Sequence, residues 1–117
     1  MHEFGMCDGV IEAVQRHAGG RRVARVRIRV GTLHRVVEGA FQQAFQHAAE
    51  GTEAENAKLE IVVLPVRAFC RSCASGFESE GVVAVCANCG GVDMELRGGE
   101  ELVLECIEYE TTNNEAA

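Results

Sequence analysis

Four cysteines in the second half of the chain form two pairs whose spacing is typical of metal ligands. Two residues separate Cys70 from Cys73, two separate Cys86 from Cys89, and twelve lie between the pairs. Two such pairs can present four sulfurs to one tetrahedral Zn²⁺ at about 2.3 Å, and four thiolates leave no open coordination position. We therefore predict a structural zinc site. Two redox disulfides of the Cys-x-x-Cys type are the alternative, which the ribbon spacing disfavours.

The chain begins Met1-His2-Glu3, which crowds an amine, an imidazole and a carboxylate into one place. The Met1 amine, the His2 backbone nitrogen and the His2 ring can chelate one ion, and the Glu3 amide can complete a plane. We expect Met1 to be retained because histidine is a large second residue. Planar nitrogen donation favours Ni²⁺ or Cu²⁺. On spacing alone, however, an N-terminal histidine is more often a solvated side chain.

The remaining cysteines and histidines give no comparable spacing. Cys7 and Cys106 fall on the apolar faces of their predicted elements, so we expect them to be small buried hydrophobic residues. His17, His34 and His47 are not paired at ligand spacing, and we interpret them as surface residues.

Composition makes several classes of function improbable for this chain. The chain has 117 residues, 47% of them hydrophobic and 25% charged, which are ordinary globular values. A net charge of −7, one Tyr and no Trp argue against nucleic acid as a partner. No apolar run is long enough for a membrane span and no signal peptide is evident, so we expect a cytoplasmic protein without a membrane partner. The sequence shows no nucleophile paired with a general base and no phosphate-binding loop, so nothing in it suggests an enzyme.

Hydrophobic periodicity predicts the elements that position these residues. Helical spacing from Cys7 to Ala18 and from Val37 to Ala48 predicts two amphipathic helices. Alternation or β-branched runs predict strands over residues 23–30, 58–64 and 101–109. The fold class is then α+β, with a small three-stranded sheet, two helices on one face, and an inserted four-cysteine zinc-ribbon lobe. We assign residues 1–65 and 100–110 to a nickel-binding domain, 66–99 to the zinc lobe, and 111–117 to a frayed tail.

Several segments together resemble the HypA/HybF family of hydrogenase nickel-incorporation proteins. These segments are Met1-His2-Glu3, Val26-Arg27-Ile28-Arg29-Val30-Gly31, Ala40-Phe41-Gln42-Gln43-Ala44-Phe45 and the four-cysteine ribbon. Further short matches, Glu50-Gly51-Thr52, Leu59-Glu60-Ile61, Leu102-Val103-Leu104 and Ile107-Glu108, follow in the family's order. The resemblance therefore spans nearly the whole chain.

The resemblance implies a metallochaperone, not an enzyme, that binds transient Ni(II) at its N-terminus and helps insert it into the [NiFe]-hydrogenase large subunit. It implies His2 as the essential nickel ligand, with Met1 contributing its amine and Glu3 supporting the site. It implies structural Zn(II) on the four paired cysteines. The implied partners are a HypB-like GTPase and the hydrogenase large subunit, with urease maturation proteins as further candidates. We expect a monomer or a weak homodimer.

The chain departs from the family pattern in two places. After Gly31 it has Thr32-Leu33-His34-Arg35, where the family commonly has an acidic residue, leucine and a small residue. Gly5 stands where the family commonly has a serine before the first helix, so the usual side-chain cap is missing. Two other function classes stay open. A zinc-ribbon adaptor with a protein or nucleic-acid partner predicts no nickel role, and a thiol oxidoreductase predicts reactive thiols of low pKa.

Overall fold

The computed structural model describes residues 2–111. In chain order the elements are α1 (His2–Ala18), β1 (Val23–Gly31), a 3-10 turn (Thr32–His34), α2 (Glu38–Ala49), β2 (Lys58–Leu64), β3 (Val66–Cys70), β4 (Gly76–Ser79), β5 (Met94–Arg97) and β6 (Leu102–Tyr109). The strands form two three-stranded sheets, with strand orders β2-β1-β6 and β4-β3-β5. The α+β class with two helices and a four-cysteine lobe is confirmed, and the lobe has a sheet of its own.

The chain divides into two compact units. The first comprises the described residues of segments 1–28, 36–61 and 104–117, and the second comprises segments 29–35 and 62–103. The predicted domain boundaries at residues 65 and 100 stay a prediction. Within the predicted tail, residues 112–117 lie outside the described part of the chain.

The first unit has a core made by the apolar stripes of α1 and α2 and by one face of β1. Its fully buried side chains include Cys7, Val14, Val26, Phe41 and Phe45. The spacing of these residues is helical in α1 and α2 and alternating in β1, so each element contributes one continuous apolar face. Burying those faces against each other is what holds the two short helices in place.

The opposite face of β1 carries arginines that pair with carboxylates on the neighbouring strands. Arg27 Nε donates to Glu60 at 3.1 Å, and Arg25 lies 3.5 Å from Glu60 and 3.3 Å from Glu108. These pairs are partly exposed, so they contribute little to stability individually. They hold the cationic face of β1 in register with acidic positions of the adjacent strands.

The first helix begins earlier than the apolar spacing indicates. It starts at His2, so Gly5 lies inside α1 rather than in front of it. The expectation that position 5 is where a helix cap is missing was therefore wrong. Glu3 holds the first buried position of α1, and because it is not apolar the hydrophobic periodicity places the start of the helix too late.

In the second unit, β3 pairs with the strands on either side of it, and the backbone around Gly31 approaches the backbone around Gly99 closely. Antiparallel pairing sets Ala68 opposite Phe77 of β4 and opposite Leu96 of β5. The Gly31 N–H donates to the Glu101 carbonyl at 2.8 Å, and the Leu33 N–H donates to the Gly99 carbonyl at 2.8 Å. A Cβ on Gly31 would overlap the backbone of Gly99, so this crossing requires glycine.

The face of β6 that was expected to be apolar and buried is not. Leu102 is 40% exposed, and Cys106 is only half-buried, near the Arg27 guanidinium. The expectation that Cys106 is a core residue was wrong, whereas Cys7 is fully buried as expected. The reason is that β6 lies at the edge of its sheet, and Cys106 shares a region with the arginine face of β1. Among residues 2–111, no helix has the length and apolar character needed to cross a membrane.

Candidate metal centre

Two similar turns position the four cysteines. Cys70 ends β3, and the Ala74 N–H donates to the Cys70 carbonyl at 2.8 Å. In the second pair, the Gly90 N–H donates to the Cys86 carbonyl at 2.9 Å. Ala74 and Gly90 occupy equivalent places after the second cysteine, and both have positive φ, at 65° and 76°. Each Cys-x-x-Cys segment thus closes into the same tight turn.

The four sulfurs meet in one cluster. The ligand atoms of Cys70, Cys73, Cys86 and Cys89 all lie within 4.8 Å of one another. The Cys70 and Cys89 sulfurs are 3.7 Å apart, as are those of Cys73 and Cys86. Sulfurs placed tetrahedrally at about 2.3 Å from Zn²⁺ would be about 3.8 Å apart. The cluster therefore has the dimensions of a tetrahedral thiolate site, and the close distances join one pair to the other.

Hydrogen-bond donors surround the sulfurs. The N–H groups of Asn88 and Cys89 point to the Cys86 sulfur at 3.3 and 3.4 Å, and the Gly91 N–H lies 3.3 Å from the Cys89 sulfur. The Ser75 hydroxyl lies 3.3 Å from the Cys73 sulfur. Such donors stabilise thiolates and orient metal ligands.

The electrostatics of the cluster favour a cation. Hydrogen bonds from Ser75 and Asn88 lower the pKa of Cys73 to about 6. The Gly91 N–H acts to lower the pKa of Cys89, but the neighbouring sulfurs of Cys73 and Cys70 outweigh it and raise that pKa to about 12. Sulfurs this close cannot all ionise without a counter-charge. A divalent cation would remove that conflict, so the residues present fit a resident metal ion.

At the N-terminus, the structure brings His2 and Glu3 together in the first turn of α1. The His2 Nδ1 lies 3.7 Å from a Glu3 carboxylate oxygen, and the His2 side chain is 51% exposed. Glu3 is almost fully buried, and its other oxygen accepts a hydrogen bond from the Val37 N–H at 3.3 Å. Met1, the third residue of the predicted nickel site, lies outside the described residues.

His17 and His47 are exposed, as expected for surface residues, and the ring of His47 packs edge-on against Phe4. His34 is only half-buried, and its Nε2 lies 2.8 Å from the Glu100 carbonyl oxygen. Sequence reasoning missed Ser75 and Asn88 as hydrogen-bond partners of the Cys73 sulfur. Their polar side chains next to the cysteines were the available signal, but polar residues are common in any turn.

One unit with a four-cysteine cluster and its own small sheet, and another unit with two helices and a histidine at the start of the first, define a metal-binding α+β protein. The family model described as "Hydrogenase/urease nickel incorporation, metallochaperone, hypA" matches residues 1–109. The chain belongs to the HypA family.

Related proteins match over nearly their whole length. The hydrogenase maturation factor HypA of Desulfitobacterium hafniense (strain DSM 10664 / DCB-2) is 37% identical over 113 residues, covering 94% of this chain and 99% of that protein. HypA 2 of Bradyrhizobium diazoefficiens is 35% identical, covering 94% of this chain and 100% of that protein. HypA of Geotalea daltonii is 39% identical over 102 residues, covering 87% and 93%.

Two solved structures share the fold. The solution structure of the Ni metallochaperone HypA from Helicobacter pylori aligns with a TM-score of 0.62 at 22% identity, covering 92% of this chain and 96% of that one. A second HypA solution structure aligns with a TM-score of 0.65 at 24% identity, covering 94% and 97%. At these identities the likeness concerns the fold.

Proposed function

We propose that this protein binds Ni(II) through Met1, His2 and Glu3 and delivers it to the [NiFe]-hydrogenase large subunit during maturation. The observation that carries the proposal is the family match, which begins at residue 1 and therefore includes the His2 position. The related proteins are named hydrogenase maturation factors, which supports the same destination for the nickel.

The local structure at the start of α1 supports a nickel site there. His2 is the first residue of α1, and the first four N–H groups of a helix have no acceptor within the helix. The positive end of the helix dipole opposes cation binding, and the Glu3 carboxylate offsets it. The exposed His2 ring can reach a partner, while buried Glu3 is held by the Val37 N–H.

We propose Zn(II) as the resident ion of the four-cysteine cluster. Four thiolates complete a tetrahedral shell, so the ion's contribution there is structural, on the order of 10 kcal/mol in small zinc domains. Cys70, Cys73, Cys86 and Cys89 are the ligands, and the surrounding N–H groups hold their sulfurs in place. This division gives the protein one ion that stays and one that is exchanged.

Delivery requires a site that a partner can open. An exposed, nitrogen-rich terminus exchanges ligands more readily than a complete shell of four thiolates, because an incoming donor can replace one ligand at a time. We propose that contact with a HypB-like GTPase or with the large subunit displaces one nickel ligand. Urease maturation proteins are further candidate partners, consistent with the family description.

The test is calorimetric nickel titration of the tag-free, zinc-loaded protein. The native chain should bind Ni(II), whereas His2→Ala and a chain with an acetylated amino terminus should lose the binding. His17→Ala is the matched control, because His17 is exposed near the other end of the same helix. Equal nickel binding by the native protein, His2→Ala and the acetylated chain would overturn the proposed site.

A further inference from the structure

One face of the β4-β3-β5 sheet contains an open concavity of about 660 Å³. Alternation along β3 buries Val66, Ala68 and Cys70 and leaves Arg67 and Phe69 exposed. Residues directly opposite each other on neighbouring strands share a face. The exposed face therefore also includes the cross-strand neighbours of Arg67 and Phe69, namely Gly76, Glu78, Glu95 and Arg97.

Two arginines on this face form an unfavourable cross-strand pair of like charges. Arg67 lies directly opposite Arg97, and like charges in that arrangement are destabilising. Arg97 is neutralised by an ion pair with Glu95 on its own strand. Within residues 2–111, Arg67 forms no ion pair closer than 4.0 Å, even though Glu78 is its partner in register on β4. A carboxylate from another molecule can therefore pair with Arg67 without displacing an existing ion pair.

An exposed aromatic ring lies beside these arginines. Phe69 is 42% exposed, and its partner in register on β4 is Gly76, which has no side chain to cover the ring. The space next to the ring is therefore open, and it lines the same concavity as the two arginines. An apolar side chain placed there would bury the ring and gain hydrophobic free energy.

We infer that this face docks a segment of a partner protein that presents a carboxylate next to a large apolar side chain. The concavity is within the size range of specific binding pockets. A polyanion such as nucleic acid is a poor occupant, because Glu78 and Glu95 also line the concavity and the chain carries a net charge of −7. This docking site is independent of nickel binding at the N-terminus.

The experiment titrates capped tetrapeptides into the full-length, zinc-loaded, ¹⁵N-labelled protein and follows backbone amide shifts by NMR. A Gly-Leu-Asp-Gly peptide should shift the amides of Arg67, Phe69, Gly76 and Arg97. The same peptide with Asn in place of Asp, or Gly in place of Leu, should bind at least about fivefold more weakly, because each lacks one of the two complementary groups.

Variants locate the site. Arg67→Gln should weaken the Leu-Asp peptide about tenfold, since it removes a charge-assisted pair. Phe69→Thr should also weaken it, while keeping a residue that suits a strand. Arg16→Gln is the control, because Arg16 is exposed in the last turn of α1 and does not line the concavity. Amide dispersion of β3 to β5 in each variant checks that the lobe is folded.

Three results would overturn the inference. One is no saturable shift at about 10 mM peptide, a concentration that would detect even weak docking. Another is equal binding of the Asp and Asn peptides, or equal binding to native protein and Arg67→Gln. The third is inorganic phosphate shifting the same amides as strongly as the peptide, which would indicate an unspecific anion site.

Discussion

At the residue scale, the two cysteine turns differ in one informative position. Gly90 occupies the left-handed position after the second pair, whereas Ala74 occupies the same position after the first. The left-handed region costs a residue with a Cβ about 1–2 kcal/mol, and glycine avoids that cost. Part of the difference is offset because glycine loses more chain entropy on folding.

We therefore expect Ala74→Gly to raise the free energy of unfolding of the zinc-loaded protein by about 0.5–1 kcal/mol. Urea denaturation followed at the lobe would measure it. Ala84→Gly is the control, because residue 84 is exposed in the same lobe and is absent from the positive-φ residues. Equal destabilisation by both substitutions would show that position 74 is not strained.

The environment of Cys7 makes a second prediction at this scale. Burial raises the pKa of the Cys7 thiol to about 12, with smaller contributions from Asp8 and Glu3. The fold favours the neutral thiol, so this contribution to stability is complete below about pH 8.5 and is lost as the pH rises toward 12. At pH 8, iodoacetamide should modify Cys7 at least about a hundredfold more slowly in the native protein than in the urea-unfolded chain.

Half-buried Cys106 serves as the internal comparison in the same mass-spectrometric experiment. We expect it to be alkylated before Cys7 in the native, zinc-loaded protein, because access limits the buried thiol. Alkylation of Cys7 at the rate of Cys106 would contradict the packed position that the structure gives to Cys7 against the Phe41 carbonyl, 3.6 Å from its sulfur.

At the scale of elements, backbone hydrogen bonds join the end of β1 to the segment before β6. A Cβ on Gly31 would overlap the backbone of Gly99. Gly99 has φ +91°, and a Cβ on it would meet the side chains of Leu33 and Val66. A substitution at Gly31 meets backbone, which cannot move aside as a flexible side chain can. The crossing therefore depends on glycine in both segments.

Gly31→Ala should lower the free energy of unfolding by about 2–3 kcal/mol, as overpacking against backbone does. Gly9→Ala is the opposite control: Gly9 lies inside α1 with nothing within 4 Å of a Cβ, so alanine there should stabilise by about 0.5–1 kcal/mol. Thermal denaturation of both variants would check the pair. A Gly31→Ala protein as stable as the native one would mean that the crossing can relax.

At the scale of the whole molecule, each compact unit has its own means of holding together. The first has an apolar core that includes Phe41 and Phe45, whereas the second has short strands and a four-cysteine cluster. Small units with few buried apolar residues need a metal or a covalent link. The two units should therefore respond differently to loss of zinc.

Cys86→Ser should lose the zinc, about one ion per chain, together with amide exchange protection in β3. The two helices should keep their protection, and the nickel stoichiometry should stay unchanged because the proposed nickel ligands include no thiol. Total metal analysis and hydrogen exchange would measure these outcomes. Equal loss of protection in α1 and β3 would contradict separate stabilisation, and His2→Ala provides the reciprocal control by keeping its zinc.

The sequence by itself determined the features that depend on neighbours a few residues apart. Cys-x-x-Cys spacing dictates a tight turn with two sulfurs on one side, so the tetrathiolate cluster was predictable from four positions. The apolar spacing of α1 and α2 was equally informative, because a helical period places side chains on one face without reference to the rest of the fold. The strand Lys58–Leu64 was predictable from its β-branched residues, which favour strands.

Only the tertiary structure decided which distant residues meet. The short strands β3, β4 and β5 have no periodic signal of their own, and their register sets Arg67 against Arg97 and Phe69 against Gly76. Alternation could show that Cys106 shares a face with Leu104, but not that this face is left half-open at a sheet edge. Such pairings depend on chain closure over tens of residues, which local spacing does not encode.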